Sequence, residues 1–407
     1  MFNSGLKQKT TKATLMKVCK HSPVPKDVEP KPKKVDKKKE VPEKESYKVP
    51  RGQPAREQLL CKNGAEAVEK LRKFGVAILP GFLTPPQCAT AFQAVMRDLE
   101  QLIPTFKYAD TKTWPNLRRD GKALHTMLIQ NWGVAWMQSM VDIRQDPRIT
   151  DFFAEVFSAY NPKRTAAQGP FKREDMLMSS DALSLHLNVS SCPHGWHRPG
   201  HHWLHTDKAS NDFTTYVQGF ISLTDFRTKG ISRGSCLHVF LYSQLYTTTE
   251  EYLKRFPWTA GAQFNLIRTQ AQIDYLLAKG CEVAFIDARK GDMVIFLSQT
   301  VHEALPAERP PHCDTEEAVR CERLVIYVAC QPIQMATRKD LKRKLDAYEK
   351  LSTTGHQAAV NVKTFAQCPR TYGKEDAFVV KPVAKHPTLN EQGRRQWGIP
   401  QSFVPSR

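Results

Sequence analysis

Seven short runs rich in apolar and β-branched residues follow one another between residues 183 and 332: "LSLHLNVSS", "WLHTD", "TTYVQGFISLTD", "SCLHVFLYS", "EVAFIDA", "DMVIFLS" and "RLVIYVACQP". Each is of strand rather than helix length, and connections such as "RTKGISRGS" and "ARKGD" carry glycine at the turns. So many short strands in succession predict an all-β core, a double-sheet barrel. Between "HVFLYS" and "EVAFIDA" an insertion near 246–280 has helical patches, "TTEEYLKRF" and "TQAQIDYLLAKG", and is expected to form a lid or wall outside the barrel.

The flanks read differently. "AREQLLCKNGAEAVEKLRKFG" spaces its apolar residues as a helix that ends at Gly75, and "VAILPGFLTPPQC" gives a strand and a turn. Thr84 before Pro85 and Pro86 predicts the start of a second helix, and weaker helical patterns lie at 133–143 and 149–159. After the last strand, "ATRKDLKRKLDAYEKLS" predicts a basic amphipathic helix, followed by irregular chain. The expected organisation is a disordered Lys/Pro-rich arm over 1–56, a barrel domain with its N-terminal helices over 57–335, and an extension over 336–407.

The formal charge of +19 is uneven, because residues 1–60 hold 16 Lys/Arg against 7 Asp/Glu and so supply about half of it. Such an arm buries too little apolar surface to offset its ordering entropy. Its "KPKKVDKKK" segment has the character of a nuclear-import or nucleic-acid-binding patch, or of a tail that is merely solvated. The basic remainder fits an anionic substrate. No apolar run approaches a membrane span and no signal-peptide core opens the chain, so an intracellular protein, cytoplasmic or nuclear, is expected. Ten scattered cysteines without a CxxC pair read as reduced thiols.

The chemistry concentrates in "HHWLHTDKAS" and "GDMVIFLSQTVHEALP". On a strand, His205 and Asp207 share one face while Thr206 faces away, so the pair converges on one point. His302, at the end of another strand, is the candidate third ligand. Two histidines and a carboxylate on one side of an ion, with the opposite positions open, is the arrangement of mononuclear non-haem Fe(II) oxygenases. A zinc site in the His-rich loop, built on Cys192, His194 and His197, is the competing metal reading.

Taken with these motifs, "KFGVAILPGFLTPPQC" (a glycine, an apolar strand, "PGFL", then a helix) and the Arg-led strand "RLVIYVACQP" give the chain a specific likeness. Over roughly residues 70–335 it resembles the phytanoyl-CoA dioxygenase-like family of Fe(II)/2-oxoglutarate-dependent oxygenases. The resemblance implies a jelly-roll core (a double-stranded β-helix) flanked by α-helices, with His205, Asp207 and His302 as iron ligands. It also implies 2-oxoglutarate and O2 as co-substrates, with an arginine holding the far carboxylate of 2-oxoglutarate. Arg323, fixed on a strand, is the first candidate for that arginine, and Arg320 the reserve. The spacing from His302 to Arg323 is longer than the family usually shows, and its "PGSH" is absent, so His238 is read as a packed or hydrogen-bonded residue. Gln218 and Asn188, on strands that can line the barrel, are read either as contacts to 2-oxoglutarate or, in preference, as buried amides that satisfy backbone groups. The carboxylate at Asp207 points to hydroxylation, since related halogenases carry a small residue there. The rival reading is a catalytically inactive barrel that binds nucleic acid through its basic arm and helix.

Overall fold

The computed structural model describes residues 47–117, 128–187, 203–207, 216–226, 235–258, 264–305, 321–366, 383 and 385–402. The Lys-rich part of the arm, the Cys192–His197 segment, Asn188 and Arg320 lie outside them. The chain divides into two units, Met1–Lys44 and Glu45–Arg407, and only the second is described here.

Its strands are β1 (Gln53–Ala55), β2 (Val76–Leu79), β3 (Leu128–Ile129), β4 (Met176–Met178), β5 (Leu183–Leu187), β6 (His205–Asp207) and β7 (Val217–Ser222). They continue with β8 (Cys236–Leu241), β9 (Phe264–Leu266), β10 (Glu282–Ile286), β11 (Met293–Leu297), β12 (His302–Leu305), β13 (Cys321–Val328) and β14 (Cys330–Pro332). The helices are α1 (Gly64–Phe74), α2 (Pro85–Leu102), α3 (Gln138–Arg144), α4 (Pro147–Tyr160), α5 (Pro162–Gln168), α6 (Glu250–Arg255), α7 (Gln270–Ala278), α8 (Arg338–Glu349) and α9 (Glu391–Gln396).

Two six-stranded sheets, ordered β1-β10-β8-β12-β6-β9 and β2-β11-β7-β13-β5-β3, make up the β core. Strands β5, β7, β11 and β13 sit in the second sheet and β6, β8, β10 and β12 in the first, so the chain passes repeatedly from one to the other. Pairing within these eight is antiparallel. Such a connectivity is consistent with the expected jelly roll. All seven sequence runs form strands. The eighth, β12, has only four residues and was read as a mere strand end, yet it carries His302.

The apolar runs of the second sheet are nearly continuous because both its faces are buried. Ile295, Leu297, Leu324 and Ile326 pack with Leu99, Val141 and Phe153 of the helices. Val294, Phe296, Val325 and Phe220 pack with Val239 and Ile286 of the opposite sheet. Period-two alternation therefore sends Gln218, Arg323 and Tyr327 into the space between the sheets. The outer face of the first sheet is covered by the insertion, where Tyr252, Ile273 and Leu276 lie against Phe240, Val301 and Leu204. It is a wall.

Local signals set the helix ends. Asn63 caps α1 by accepting from the Glu66 N–H, which starts the helix later than its apolar spacing suggests, and Gly75 ends it with φ +80°. A β-carbon at Gly75 would lie 2.4 Å from Thr300 Oγ1, so glycine is required there for space as well as conformation. Thr84 and Gln87 form a capping box ahead of α2.

Two boundaries differ from expectation. Ordered pairing begins before residue 57, since β1 runs parallel to β10. The extension after 335 is also integrated into the core: Trp397 is 1% exposed, with its ring 5.4 Å from that of Trp136, and Gln396 Nε2 donates to Arg144 O. Cys61, Cys88, Cys236, Cys281 and Cys330 are unbridged and buried. Among the described residues no helix is long and apolar enough to cross a membrane.

Helix α8 is not only a charged surface face. Lys344 is 4% exposed, and its Nζ donates to Met178 O at 2.6 Å. Burial, slightly offset by Cys330, pushes its pKa down to about 7. Between about 7 and the ordinary lysine value the unfolded chain holds a proton that the folded chain does not, so stability rises with pH across that window. Lys344→Met is therefore expected to stabilise the protein by roughly 1–3 kcal/mol at and below neutral pH. The gain should fade as pH approaches the unfolded lysine value. Thermal melts of both proteins over a pH series check this, and a gain independent of pH would contradict it.

Candidate metal centre

The register of the first sheet pairs His302 of β12 with His205 of β6, and the same-face relation within β6 adds Asp207. All three are buried, with ligand atoms within 4.8 Å of one another. His302 Nε2 lies 3.5 Å from Asp207 Oδ2 and His205 Nε2 lies 3.9 Å from Asp207 Oδ1. Among the described residues no other group of His, Cys, Asp or Glu is arranged to share an ion.

The orientation of each ring is fixed from behind. His205 Nδ1 is 3.0 Å from Trp203 O, and His302 Nδ1 is 2.8 Å from Thr300 O. A carbonyl only accepts, so each Nδ1 carries the proton and each Nε2 presents its lone pair to the cluster. Burial, reinforced by His205, holds the His302 pKa down at about 3, which keeps that imidazole neutral. Burial of Asp207 opposes its charge, but His356, His205, His302 and the Gln218 amide outweigh it and bring the carboxyl to about 2. Two neutral imidazoles and one carboxylate are the donor set a ferrous ion takes.

Sequence reasoning gave Gln218 the role of satisfying backbone groups. Instead its Nε2 donates to Asp207 Oδ2 at 2.5 Å and approaches Ser298 Oγ at 3.3 Å. A side-chain pair between neighbouring sheets leaves no pattern in either strand. His238 is a hydrogen-bonded residue as read, with Nδ1 2.9 Å from Glu303 Oε1. Glu303 Oε2 accepts the Trp203 N–H at 2.6 Å, and the carbonyl of Trp203 is the group that receives His205 Nδ1–H. Glu303 thus holds the residue whose carbonyl orients the His205 ring. Glu303→Ala is expected to weaken ferrous-ion binding about 10–100-fold, as read by chelator competition on protein shown by its melting curve to be folded.

Arg323 lies deeper between the sheets, 1% exposed. Its Nη1 donates to Cys236 O at 3.1 Å, and its guanidinium stands 5.5 Å and 5.2 Å from the ring centroids of Phe220 and Phe226. Its Nε has no hydrogen-bond partner, and no described carboxylate pairs with it. Burial lowers its pKa from the ordinary arginine value. A buried guanidinium with an orphan N–H and aromatic packing has the fixed, planar donor geometry that could receive an anion.

Two residues near the centre escaped the sequence reading. His356, from the irregular segment after α8, places Nε2 3.9 Å from Asp207 Oδ2. Asp181, just before β5, is 7% exposed and interacts electrostatically with His356 and Asp207. The His205 ring lies 4.2 Å from that of Trp203 and 6.0 Å from that of Phe264, which is 40% exposed and is the register partner of Asp207.

No family model matches the chain, and comparison with curated proteins gave no match either. Solved structures similar to it include the epimerase SnoN in complex with Fe3+, alpha ketoglutarate and nogalamycin RO. That likeness has 14% identity and a TM-score of 0.39, covering 66% of this chain and 86% of that one. A hypothetical protein, JW0805, from Escherichia coli matches at 14% identity and TM-score 0.45, covering 82% of each chain. GlcNAc Inducible Gene 2 (DUF1479) from Candida albicans matches at 13% identity and TM-score 0.46, covering 84% of this chain and 78% of that one. These likenesses are distant, and the chemistry of the centre stands on its own geometry.

Proposed function

We propose that the protein is a non-haem Fe(II)- and 2-oxoglutarate-dependent dioxygenase that hydroxylates an organic substrate. The observation that carries this reading is the pairing of a cluster of two imidazoles and a carboxylate with a deeply buried arginine that has no carboxylate partner among the described residues. His205, Asp207 and His302 would hold the ion, with Gln218 steadying the Asp207 carboxylate. Arg323 would receive the far carboxylate of 2-oxoglutarate, and its orphan Nε is the feature that fits that group. When bound, iron and 2-oxoglutarate supply O2-dependent oxidation of a C–H bond, with succinate and CO2 as co-products.

The chain's own residues account for the rest. Trp203 O and Thr300 O keep both ligand imidazoles in the Nε2-binding tautomer. Phe220, Phe226 and Val325 line an apolar interior that excludes water around the arginine, where a buried ion pair is stronger than in solvent. Fixing three ligands on paired strands confines an ion to one side and leaves the other for co-substrates.

The direct test is succinate release coupled to 2-oxoglutarate consumption with Fe(II) and ascorbate, compared with His205→Ala. Turnover in the wild-type chain that disappears in the variant is expected. Equal, iron-independent rates in both would reject the reading. Binding of nucleic acid through the basic arm is the rival, and salt-sensitive DNA binding without any iron-dependent turnover would favour it.

A further inference from the structure

The peptide that orients His205 has a second end. His205 Nδ1–H donates to the Trp203 carbonyl at 3.0 Å, and the N–H of that same peptide unit belongs to Leu204. A peptide bond is planar and trans, so its C=O and N–H point in opposite directions and turn together. Whatever receives the Leu204 N–H therefore also aims the Trp203 carbonyl.

That receiver is Tyr47. Burial raises the pKa of its phenol, and a hydrogen bond to the Leu204 backbone works against that rise. Only a donor to the phenol oxygen does so, which makes the Leu204 N–H the donor and Tyr47 Oη the acceptor. The groups on either side are held by other segments. Glu303 accepts the Trp203 N–H at 2.6 Å, and the Leu204 carbonyl accepts the Ile267 N–H at 2.8 Å. Of these three contacts on the entry to β6, the one from Tyr47 falls on the peptide that carries the acceptor of His205.

Tyr47 is itself firmly placed. Its ring and Val49 pack on the cluster that contains Leu204, Phe240, Ile273 and Val301. The residue between them is tied to α7, where the Lys48 N–H donates to Gln270 Oε1 at 2.8 Å and Gln270 Nε2 donates to Lys48 O at 3.3 Å. Strand β1 then pairs with β10, and Arg56 Nη1 donates to Asp287 O at 2.8 Å. Residues 47–56 thus form a strap pinned to the first sheet and to the insertion that covers it.

We infer that Tyr47 is a positioning residue for the metal centre: through the Trp203–Leu204 peptide its hydroxyl fixes the carbonyl that holds the His205 ring with Nε2 toward the cluster. The inference rests on the proposed metal centre and adds to it a residue from ahead of the barrel. Hydrogen bonds in series on one amide polarise each other, so Tyr47 strengthens the Trp203 carbonyl as an acceptor as well as aiming it.

The test is the Co(II) affinity of the full chain, measured anaerobically by chelator competition, together with the visible bands of the bound cobalt. Tyr47→Phe keeps the ring in its apolar cluster and removes only the oxygen. It is expected to weaken Co(II) binding about three- to tenfold, less than the roughly 10–100-fold usual for a group that touches a ligand directly, and to shift the cobalt bands. Val49→Ala trims the same apolar cluster and leaves the Tyr47 hydroxyl in place. It is expected to lower the melting temperature while keeping the cobalt affinity and bands of wild type. Tyr47→Phe protein with wild-type affinity and bands would overturn the positioning role alone. Val49→Ala protein weakened as much as Tyr47→Phe would do the same, since the effect would then come from packing of the strap. A wild-type chain that binds no Co(II) would overturn the metal centre and the role of Tyr47 together.

Discussion

His302→Ala is expected to lower ferrous-ion affinity at least about 100-fold and to bring iron-dependent 2-oxoglutarate turnover to background. Losing a ligating imidazole should exceed the 10–100-fold effect usual for the groups that merely orient one. On the proposed reading His302 would supply one of three donor atoms, and its partners could not replace it. His205 and Asp207 are fixed on β6 by pairing with β12 and by the Gln218 amide, and neither can swing to cover an empty position. The His356 imidazole stands outside the cluster. Anaerobic titration of the apoprotein with Fe(II) against a chelator measures the effect. His302→Ala protein that binds iron as tightly as wild type would end the proposed centre, and a melting curve separates that outcome from misfolding.

Arg323→Met is expected to raise the 2-oxoglutarate concentration needed for half-saturation at least about 100-fold, without lowering the melting temperature of the ligand-free chain. The two halves have one cause. Breaking a buried charge pair by removing one partner costs about 3–5 kcal/mol, which is more than two orders of magnitude in affinity. In the ligand-free chain that partner is not there. Arg323 then carries a desolvated charge with an orphan Nε and one backbone carbonyl as acceptor, and methionine would fill much of its volume against Phe220 and Phe226 at no charge cost. Arg323→Lys should recover little, since an ammonium lacks the planar fork and the stacking surface. Isothermal titration with 2-oxoglutarate in the presence of Zn(II) and a thermal melt without either settle both halves. An arginine whose replacement weakens the fold but leaves 2-oxoglutarate binding unchanged would be structural instead.

These effects belong to residues that were visible in different ways. His205 and Asp207 stood out because a strand's two-residue repeat is a local property of the backbone, and His302 because it follows the apolar run "MVIFLS" at a strand end. The same repeat places Arg323 on the face of β13 that looks between the sheets, once Leu324, Ile326 and Val328 are assigned to the helix-covered side. By contrast Gln218 and Glu303 act through partners in other strands, and no window of sequence records those pairings.

By itself the sequence determined the strand-rich middle, the capped helices ahead of it, and the same-face placement of His205 and Asp207, because each of these is encoded in spacing along a short stretch and enforced by backbone geometry. Only the tertiary structure decided that "HEAL" is a strand pairing His302 with His205, that the extension after residue 335 packs into the core, and that His356 reaches Asp207. Those outcomes depend on which distant segments share an enclosed volume. Segments such as 351–366, with no repeating pattern of their own, are held in place by packing and hydrogen bonds to the rest of the fold rather than by any local preference.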